Sequence, residues 1–312
     1  MKIVLSSPYS LQSLHGNNIS ARRIADILRD SGHDVKIIRS GEPIPEGTQV
    51  LIALHARKSH AAIIGMKSQC PDAKIILYLT GTDLYGDIPD GCSLAKESLE
   101  IADAIIVSQD ASLHSVPEEY LHKSRVVYNS ISLTGLDTVE REHDLFVIAS
   151  HMRAVKQPFF VVEALALLDD SVRVKLMGTE IDPGSAELAK KLMQSEPRFE
   201  WLGEQTYEQT ITWMNCSLAT INTSLAEGGA NSVGESIVMG RPVLASRIEG
   251  NVGMLGEGYD GYFSPDSPAE LAELMHKICS DRSFQAHLEN QVKKQSTKYS
   301  RENERKGWLA LL

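Results

Sequence analysis

Residues 224–246 read SLAEGGANSVGESIVMGRPVLAS, and the interpretation of the whole chain starts from this stretch. The loop at its start carries small residues after Glu227, namely Gly228, Gly229 and Ala230. We predict a helix that starts near Ser232, with Asn231 or Ser232 as its cap. Gly240 ends that helix, and the apolar run PVLAS predicts a short buried strand.

A glycine-rich loop that leads into a helix is typical of an anion-binding site. Glycine lets backbone N–H groups approach an anion, and the start of a helix favours negative charge. Glu227 and Glu235 flank the loop, and each carboxylate can accept two hydrogen bonds from a sugar or ribose diol. The stretch therefore fits a nucleotide-sugar site. A second interpretation stays open, because Ser232 and Glu235 have capping-box spacing and Gly-Gly can form a simple turn.

Short apolar runs alternate with helical patterns throughout the chain, as in KIVLSS at residues 2–7 and LFVIAS at 145–150. Such runs predict parallel sheets that are covered on both faces. The polar run at 134–144 interrupts the alternation, and we interpret it as a linker. The sequence thus predicts an α/β fold with two doubly wound, Rossmann-like domains at residues 1–136 and 137–312, with parallel sheets facing a cleft.

Composition narrows the functional classes. The chain has 312 residues, of which 42% are hydrophobic and 23% charged, which is ordinary for a globular protein of two domains. Its net charge of −10 argues against nucleic acid and anionic membranes as partners. The four cysteines form no C-x-x-C pair, which argues against a zinc site or redox motif. Without an evident signal peptide or membrane-spanning run, we expect a cytoplasmic protein.

Polar residues that follow predicted strands are candidates for binding, since ligands bind at the carboxyl ends of parallel strands. His15 and Gly16 follow the first strand, where an ordinary capped turn is the alternative. His55, Arg57 and Lys58 follow the third. Positive charge is unfavourable at a helix start, so this cluster favours a bound anion over a bare, solvated helix end.

Two further candidates, Thr82 and Asp83, follow the fourth predicted strand in the run LTGTDLYGDIP. Asp83 can contact a ligand, or it can cap the helix that follows. The run ASHMRAVKQP at the head of the second domain contains Arg153 and Lys156, two cations at another strand end.

The spacing of Glu227 and Glu235 resembles the E-x7-E signature of family 4 glycosyltransferases with the GT-B fold. The resemblance implies that Glu227 faces the donor sugar and Glu235 binds the ribose. It also implies that Arg153 and Lys156 neutralise the donor diphosphate without a metal ion or other cofactor. Many relatives carry His-Asp where this chain has Thr82 and Asp83, which leaves the sugar specificity open. The remaining donor-binding residues that it implies are Gly16, Gly228, Gly229, Ala230 and Asn231.

Several segments together resemble a narrower group of that fold, the selenosugar synthases of selenoneine biosynthesis. They are SPYSLQSLHGNN, LIALHARKS, LTGTDLYGDIP, EGGAN and SRIEGNVGMLGEGYDGYF. This resemblance implies transfer of N-acetylglucosamine or glucose from a UDP-sugar to selenophosphate. It implies an acceptor domain at 1–136, a donor domain at 137–312, and a last helix, about 300–312, that crosses back to the first domain. The acceptor-binding residues would be His15, His55, Arg57, Lys58, Thr82 and Asp83.

Three alternatives remain open from the sequence. A family 4 enzyme with an alcohol acceptor should need a base, such as His15 or Asp83. An epimerase of UDP-sugars on the same fold would need no acceptor. A protein that binds UDP-sugars without catalysis is the third.

Overall fold

The computed structural model describes most of the chain, namely residues 1–8, 16–133 and 139–312. Contacts divide the chain into two compact units. We call residues 1–130 together with 298–312 the first domain, and residues 131–297 the second domain. The division falls a few residues before the predicted boundary at 136, and part of the predicted linker, 134–138, lies outside the described residues.

The first domain is built on a parallel sheet. Its strands are β1 Lys2–Ser7, β2 Asp34–Arg39, β3 Val50–Leu54, β4 Lys74–Tyr78, β5 Ala104–Val107 and β6 Ser124–Val126. They pair in the order β2-β1-β3-β4-β5-β6. The helices between them are α1 Gly16–Asp30, α2 His60–Gln69 and α3 Ser93–Ile101. Every residue of β3 is buried, as expected for a strand covered on both faces.

The second domain repeats this plan. Its strands are β7 Glu142–Ala149, β8 Arg173–Met177, β9 Phe199–Trp201, β10 Ser217–Asn222, β11 Val243–Ser246 and β12 Tyr262–Phe263. They are parallel, in the order β12-β11-β10-β7-β8-β9. Its helices are α4 Phe160–Leu165, α5 Ser185–Ser195, α6 Tyr207–Cys216, α7 Asn231–Met239, α8 Glu249–Leu255, α9 Pro268–Ser280 and α10 Arg282–Gln295. The sequence patterns missed α8 and β12.

The order of strands reverses once in each sheet, between β1 and β3 and between β7 and β10. In doubly wound sheets, ligands bind outside the carboxyl ends of the strands at such switch points. The loops after β3, β7 and β10 are therefore the places where a ligand site is expected.

The last helix, α11 Arg301–Leu309, belongs to the first domain. Its Glu304 is fully buried and accepts two hydrogen bonds from Nε of Arg23, at 3.0 and 3.1 Å. The same carboxylate accepts the backbone N–H of Ser130 at 2.7 Å, and Trp308 packs edge-on against Tyr78. A buried carboxylate needs such partners, so Glu304 fixes the return of the chain to the first domain.

None of the helices in the described ranges is both long and apolar enough to cross a membrane.

Candidate active site

The second domain brings the loops after β7 and β10 together at its switch point. β7 and β10 are parallel neighbours in the sheet. The loop after β7 carries Lys156, and the loop after β10 carries Glu227. A backbone hydrogen bond of 2.8 Å, from the N–H of Leu225 to the carbonyl of Val155, joins the two loops.

Lys156 and Glu227, both predicted catalytic residues, form an ion pair. Nζ of Lys156 lies 2.5 Å from Oε1 of Glu227, and Glu227 is buried. The hydroxyl of Thr223 donates to the carbonyls of Lys156 and Gln157 at 2.8 and 2.9 Å. Gln157 has a left-handed backbone with φ of 41°. Such strain persists only where surrounding contacts hold it, so this turn is firmly fixed.

The two carboxylate oxygens of Glu227 have different surroundings. Oε1 also accepts a hydrogen bond from the Ser224 hydroxyl at 2.6 Å and a longer one from Nδ2 of Asn222 at 3.5 Å. Among the residues that the structure describes, none donates a hydrogen bond to Oε2. The protein therefore fixes one oxygen and leaves the other to accept a hydroxyl of a ligand.

The loop before α7 lacks the caps that the sequence predicted. α7 begins at Asn231, and its cap residue is Ala230, which has no side-chain acceptor. The predicted cap at Asn231 or Ser232 is therefore wrong, and so is the capping box of Ser232 with Glu235. Because no side chain caps α7, its first N–H groups can serve an anion, with the half-buried Gly228 and Gly229 just before them.

Glu235 lies in α7, and burial raises the pKa of its carboxyl to about 7. A hydrogen bond with the hydroxyl of Tyr207 acts in the opposite direction on that pKa. Tyr207 is the first residue of α6 and is half exposed, and no sequence motif pointed to it. A diol that donates hydrogen bonds to Glu235 would favour its charged form.

Arg153, predicted to bind the diphosphate, is exposed and precedes the short turn Ala154–Lys156. Within the described residues its guanidinium makes no hydrogen bond or ion pair. The structure thus places Arg153 in the same loop as Lys156 but does not bring its side chain to Glu227.

In the first domain, His55 follows β3 at the switch point and is fully buried. It has a left-handed backbone with φ of 77°, which is uncommon for a residue other than glycine and marks a candidate functional position. Nε2 lies 3.0 Å from the hydroxyl of Thr82, so these two predicted residues do meet. Burial is the main cause that lowers the pKa of His55, and the imidazole is therefore neutral at pH 7.

Asp83 has a structural role in this loop. It is fully buried, and Oδ2 accepts the N–H of Ala56 at 2.7 Å. Oδ1 accepts the N–H and the hydroxyl of Thr80 at 2.7 and 2.8 Å. The carboxylate ties the loops after β3 and β4 together, so neither the predicted acceptor contact nor the role of base fits its surroundings. The cap alternative does not describe it either, because Thr80 precedes it in the chain.

The cationic cluster after β3 has a partner that the sequence analysis missed. Nε of Arg57 lies 2.8 Å from Oδ1 of Asp87, which belongs to the same quoted run as Asp83. Oδ2 of Asp87 lies 3.8 Å from Nε2 of His55. Arg57 therefore has a counter-charge within the chain, which weakens the argument that the cluster needs a bound anion.

The two predicted site residues after β1 are His15 and Gly16. His15 lies outside the described residues. Gly16 is the exposed first residue of α1, and a Cβ built on it would meet nothing within 4 Å. No protein contact within the described residues requires glycine at this position.

Comparison with known proteins supports the fold. The sequence model of the family "Glycosyl transferases group 1" matches residues 142–281, which cover most of the second domain. A protein of Xenopus tropicalis, glycosyltransferase 1 domain-containing protein 1, is 21% identical, and the match covers 97% of this chain and 95% of the relative.

Solved structures match nearly the full length. HepE of Anabaena with UDP and glucose has a TM-score of 0.77 at 16% identity, covering 99% of this chain and 98% of the other. The sucrose-phosphate synthase of Thermosynechococcus elongatus has a TM-score of 0.79 at 15% identity, with the same coverage of 99% and 98%. At such low identity these likenesses show the fold, and the predicted GT-B fold is confirmed.

Proposed function

We propose that this protein is a glycosyltransferase that transfers a sugar from a UDP-sugar to selenophosphate, and the family model that matches residues 142–281 supports this activity. The observation that carries the donor half is the ion pair of Lys156 and Glu227 at the switch point of the second domain. HepE, which shares the fold, is described in complexes with UDP and with UDP-glucose, and this supports UDP-glucose as a donor.

The geometry of the second domain supports an assignment of the donor contacts. We assign the diphosphate to the uncapped start of α7, with Arg153 and Lys156 as the cations beside it. The ribose diol goes to Glu235, and a hydroxyl of the transferred sugar to Oε2 of Glu227. Fixed N–H groups and cations stabilise the charge that develops on the diphosphate, and we infer that no metal ion is required.

The reaction breaks the bond between the anomeric carbon and the diphosphate oxygen, and the electron pair leaves with UDP. Selenium of selenophosphate forms the new carbon–selenium bond. Its selenium is already a strong nucleophile, so a strong base is unnecessary. Support for this acceptor comes from the resemblance of the segments around His55 and Thr82.

A hydroxyl acceptor is the second candidate, and Asp87 favours it. Its carboxylate neutralises Arg57, which weakens the case for an anion. Oδ2 of Asp87 is buried and has no hydrogen-bond partner in the described part of the chain. A carboxylate oxygen in that state, beside a neutral His55, can accept the proton of a hydroxyl.

Release of UDP from UDP-glucose tests these candidates in one assay. The protein is incubated with UDP-glucose alone, with selenophosphate and with a panel of sugar alcohols, and products are identified by mass spectrometry. Release that requires selenophosphate, together with a selenium-containing sugar, supports the proposal. Release only with an alcohol supports the second candidate, and conversion of the sugar without acceptor indicates an epimerase. Binding without turnover indicates a non-catalytic protein.

A further inference from the structure

Helix α8 lies beside the predicted donor site. It follows β11, which pairs directly with β10, so the first turn of α8 lies next to the loop that carries Glu227. This turn belongs to the segment SRIEGNVGMLGEGYDGYF, which the sequence analysis singled out but did not connect with any role.

Gly250, in the first turn of α8, touches the backbone of Glu227. A Cβ at this position would lie 2.0 Å from the carbonyl oxygen of Glu227 and 2.8 Å from its Cβ. Real Cβ contacts are never that short, so only glycine fits here. The backbone of α8 therefore packs directly against the backbone of Glu227.

The next residue, Asn251, holds the partners of that glutamate. It is fully buried, and its Nδ2 donates to Oδ1 of Asn222 at 3.0 Å and to the carbonyl of Ser246 at 2.9 Å. The hydroxyl of Ser246 donates in turn to the carbonyl of Ser224 at 2.5 Å. Asn222 and Ser224 are the residues that donate to Oε1 of Glu227, so two routes of hydrogen bonds lead from Asn251 to this carboxylate.

We propose that Asn251 is a positioning residue, which aims Oε2 of Glu227 at the sugar of the nucleotide-sugar donor. The inference rests on the proposed function. Oε1 accepts hydrogen bonds from Asn222, Ser224 and Lys156, and these three contacts fix the direction of the second oxygen, Oε2. Oδ1 of Asn251 is itself buried and has no hydrogen-bond partner among the residues that the structure describes. An amide that is only half satisfied is costly for stability, which argues against a purely structural role.

The test compares Asn251→Ala with a matched control, Asn215→Ala. Asn215 is another buried asparagine of the second domain, and its Oδ1 accepts a hydrogen bond of 2.7 Å from Arg241. It lies just before the start of β10, whereas Asn222 is at the other end of that strand. Calorimetry gives the affinities of the full-length protein for UDP and UDP-glucose, and melting temperature gives stability. We expect Asn251→Ala to weaken the affinity for UDP-glucose about tenfold, because the charged Glu227 then loses its hydrogen bond with the sugar. The affinity for UDP, which lacks the sugar, should change about twofold or less.

Asn215→Ala should lower the melting temperature and leave both affinities alone. If Asn251→Ala does not fold, Ser246→Ala removes one of the two hydrogen-bond routes. This variant should also weaken the affinity for UDP-glucose more than the affinity for UDP. An unchanged ratio of the two affinities in the variant that folds would overturn the positioning role while the proposed function stands. If the wild-type protein binds neither ligand, the proposed function fails and the inference fails with it.

Discussion

The ammonium group of Lys156 and Oε1 of Glu227 lie 2.5 Å apart, so each neutralises the other before any substrate is present. Both residues were predicted to act on the donor. Their pairing means that the second domain holds its cation and its carboxylate in place by the same contact. A diphosphate can then be met by a lysine whose position is already fixed.

Lys156→Ala and Arg153→Ala should therefore behave differently. Both should lower kcat with a UDP-sugar, because charge on the leaving diphosphate is largest in the transition state. Lys156→Ala should also reduce the free energy of unfolding by about 1–3 kcal/mol, since it leaves Glu227 buried and unpaired. Arg153→Ala should leave stability unchanged, because its side chain has no partner in the described residues. Steady-state kinetics and urea unfolding measure the two effects.

Chelation provides a separate check on the proposed cations. If Arg153 and Lys156 supply the positive charge, EDTA should leave the activity of the wild-type protein unchanged. Strict dependence of turnover on Mg²⁺ or Mn²⁺ would contradict their assignment.

Glu235 should make stability fall as pH rises. Burial raises its pKa from an ordinary value of 4.5 to about 7, so between these values the folded protein binds more protons than the unfolded chain. The contribution is fully present below pH 4.5 and is lost by about pH 7, with a size of about 3 kcal/mol. Urea unfolding of the wild type and of Glu235→Gln across this range should show the difference.

Nucleotide binding should act on the same carboxyl. A ribose diol favours the charged form of Glu235, so UDP binding near pH 7 should release protons, and Glu235→Gln should abolish the release. Calorimetry in buffers of different ionisation enthalpy measures it. An equal heat in all buffers would show that the ribose does not contact Glu235.

The kinetics of Asp87→Asn should distinguish the two candidate acceptors, selenophosphate and a hydroxyl. If the acceptor is selenophosphate, loss of the negative charge should free Arg57 for the anion and lower KM for selenophosphate, an effect that shrinks with added salt. If the acceptor is a hydroxyl, the same change removes the group that accepts its proton, and kcat should fall. Asp90→Asn, an exposed acid nearby, controls for the change in overall charge. No change in either parameter would place the acceptor elsewhere.

Glu304→Gln should destabilise the first domain. The variant leaves Arg23 largely buried without a counter-charge, and we expect a loss of about 3 kcal/mol. Glu302→Gln on the same helix affects only exposed pairs, with Arg305 and Lys306, so it should cost little. Equal effects of the two changes in urea unfolding would show that the buried contact contributes no more than an exposed pair.

The sequence predicted the sheets well because buried parallel strands have a strong apolar signature. β3 and β10 are examples, since every residue of each is buried. Short elements gave no such signal. β12 has two residues and α8 has seven, and α8 contains Gly250 and Gly253, which weaken a helical pattern.

Charge partners that are distant in the chain leave no signal in the sequence. Arg57 and Asp87 are distant in the chain and meet only when the loops after β3 and β4 adopt their fold. A local view of Arg57 and Lys58 therefore overestimated the positive charge. For Asp83, the nearby helix pattern pointed to a cap, whereas the carboxylate serves Ala56 and Thr80.

The return of α11 to the first domain has a consequence for biosynthesis. Residues 298–312 leave the ribosome after the entire second domain, yet they contain Glu304, the buried counter-charge of Arg23. The second domain is continuous in sequence and can fold while the chain is still being made, whereas the first domain is completed only by residues at the end of the chain. Until then Trp308 cannot pack against Tyr78, so this part of the apolar core of the first domain is completed last.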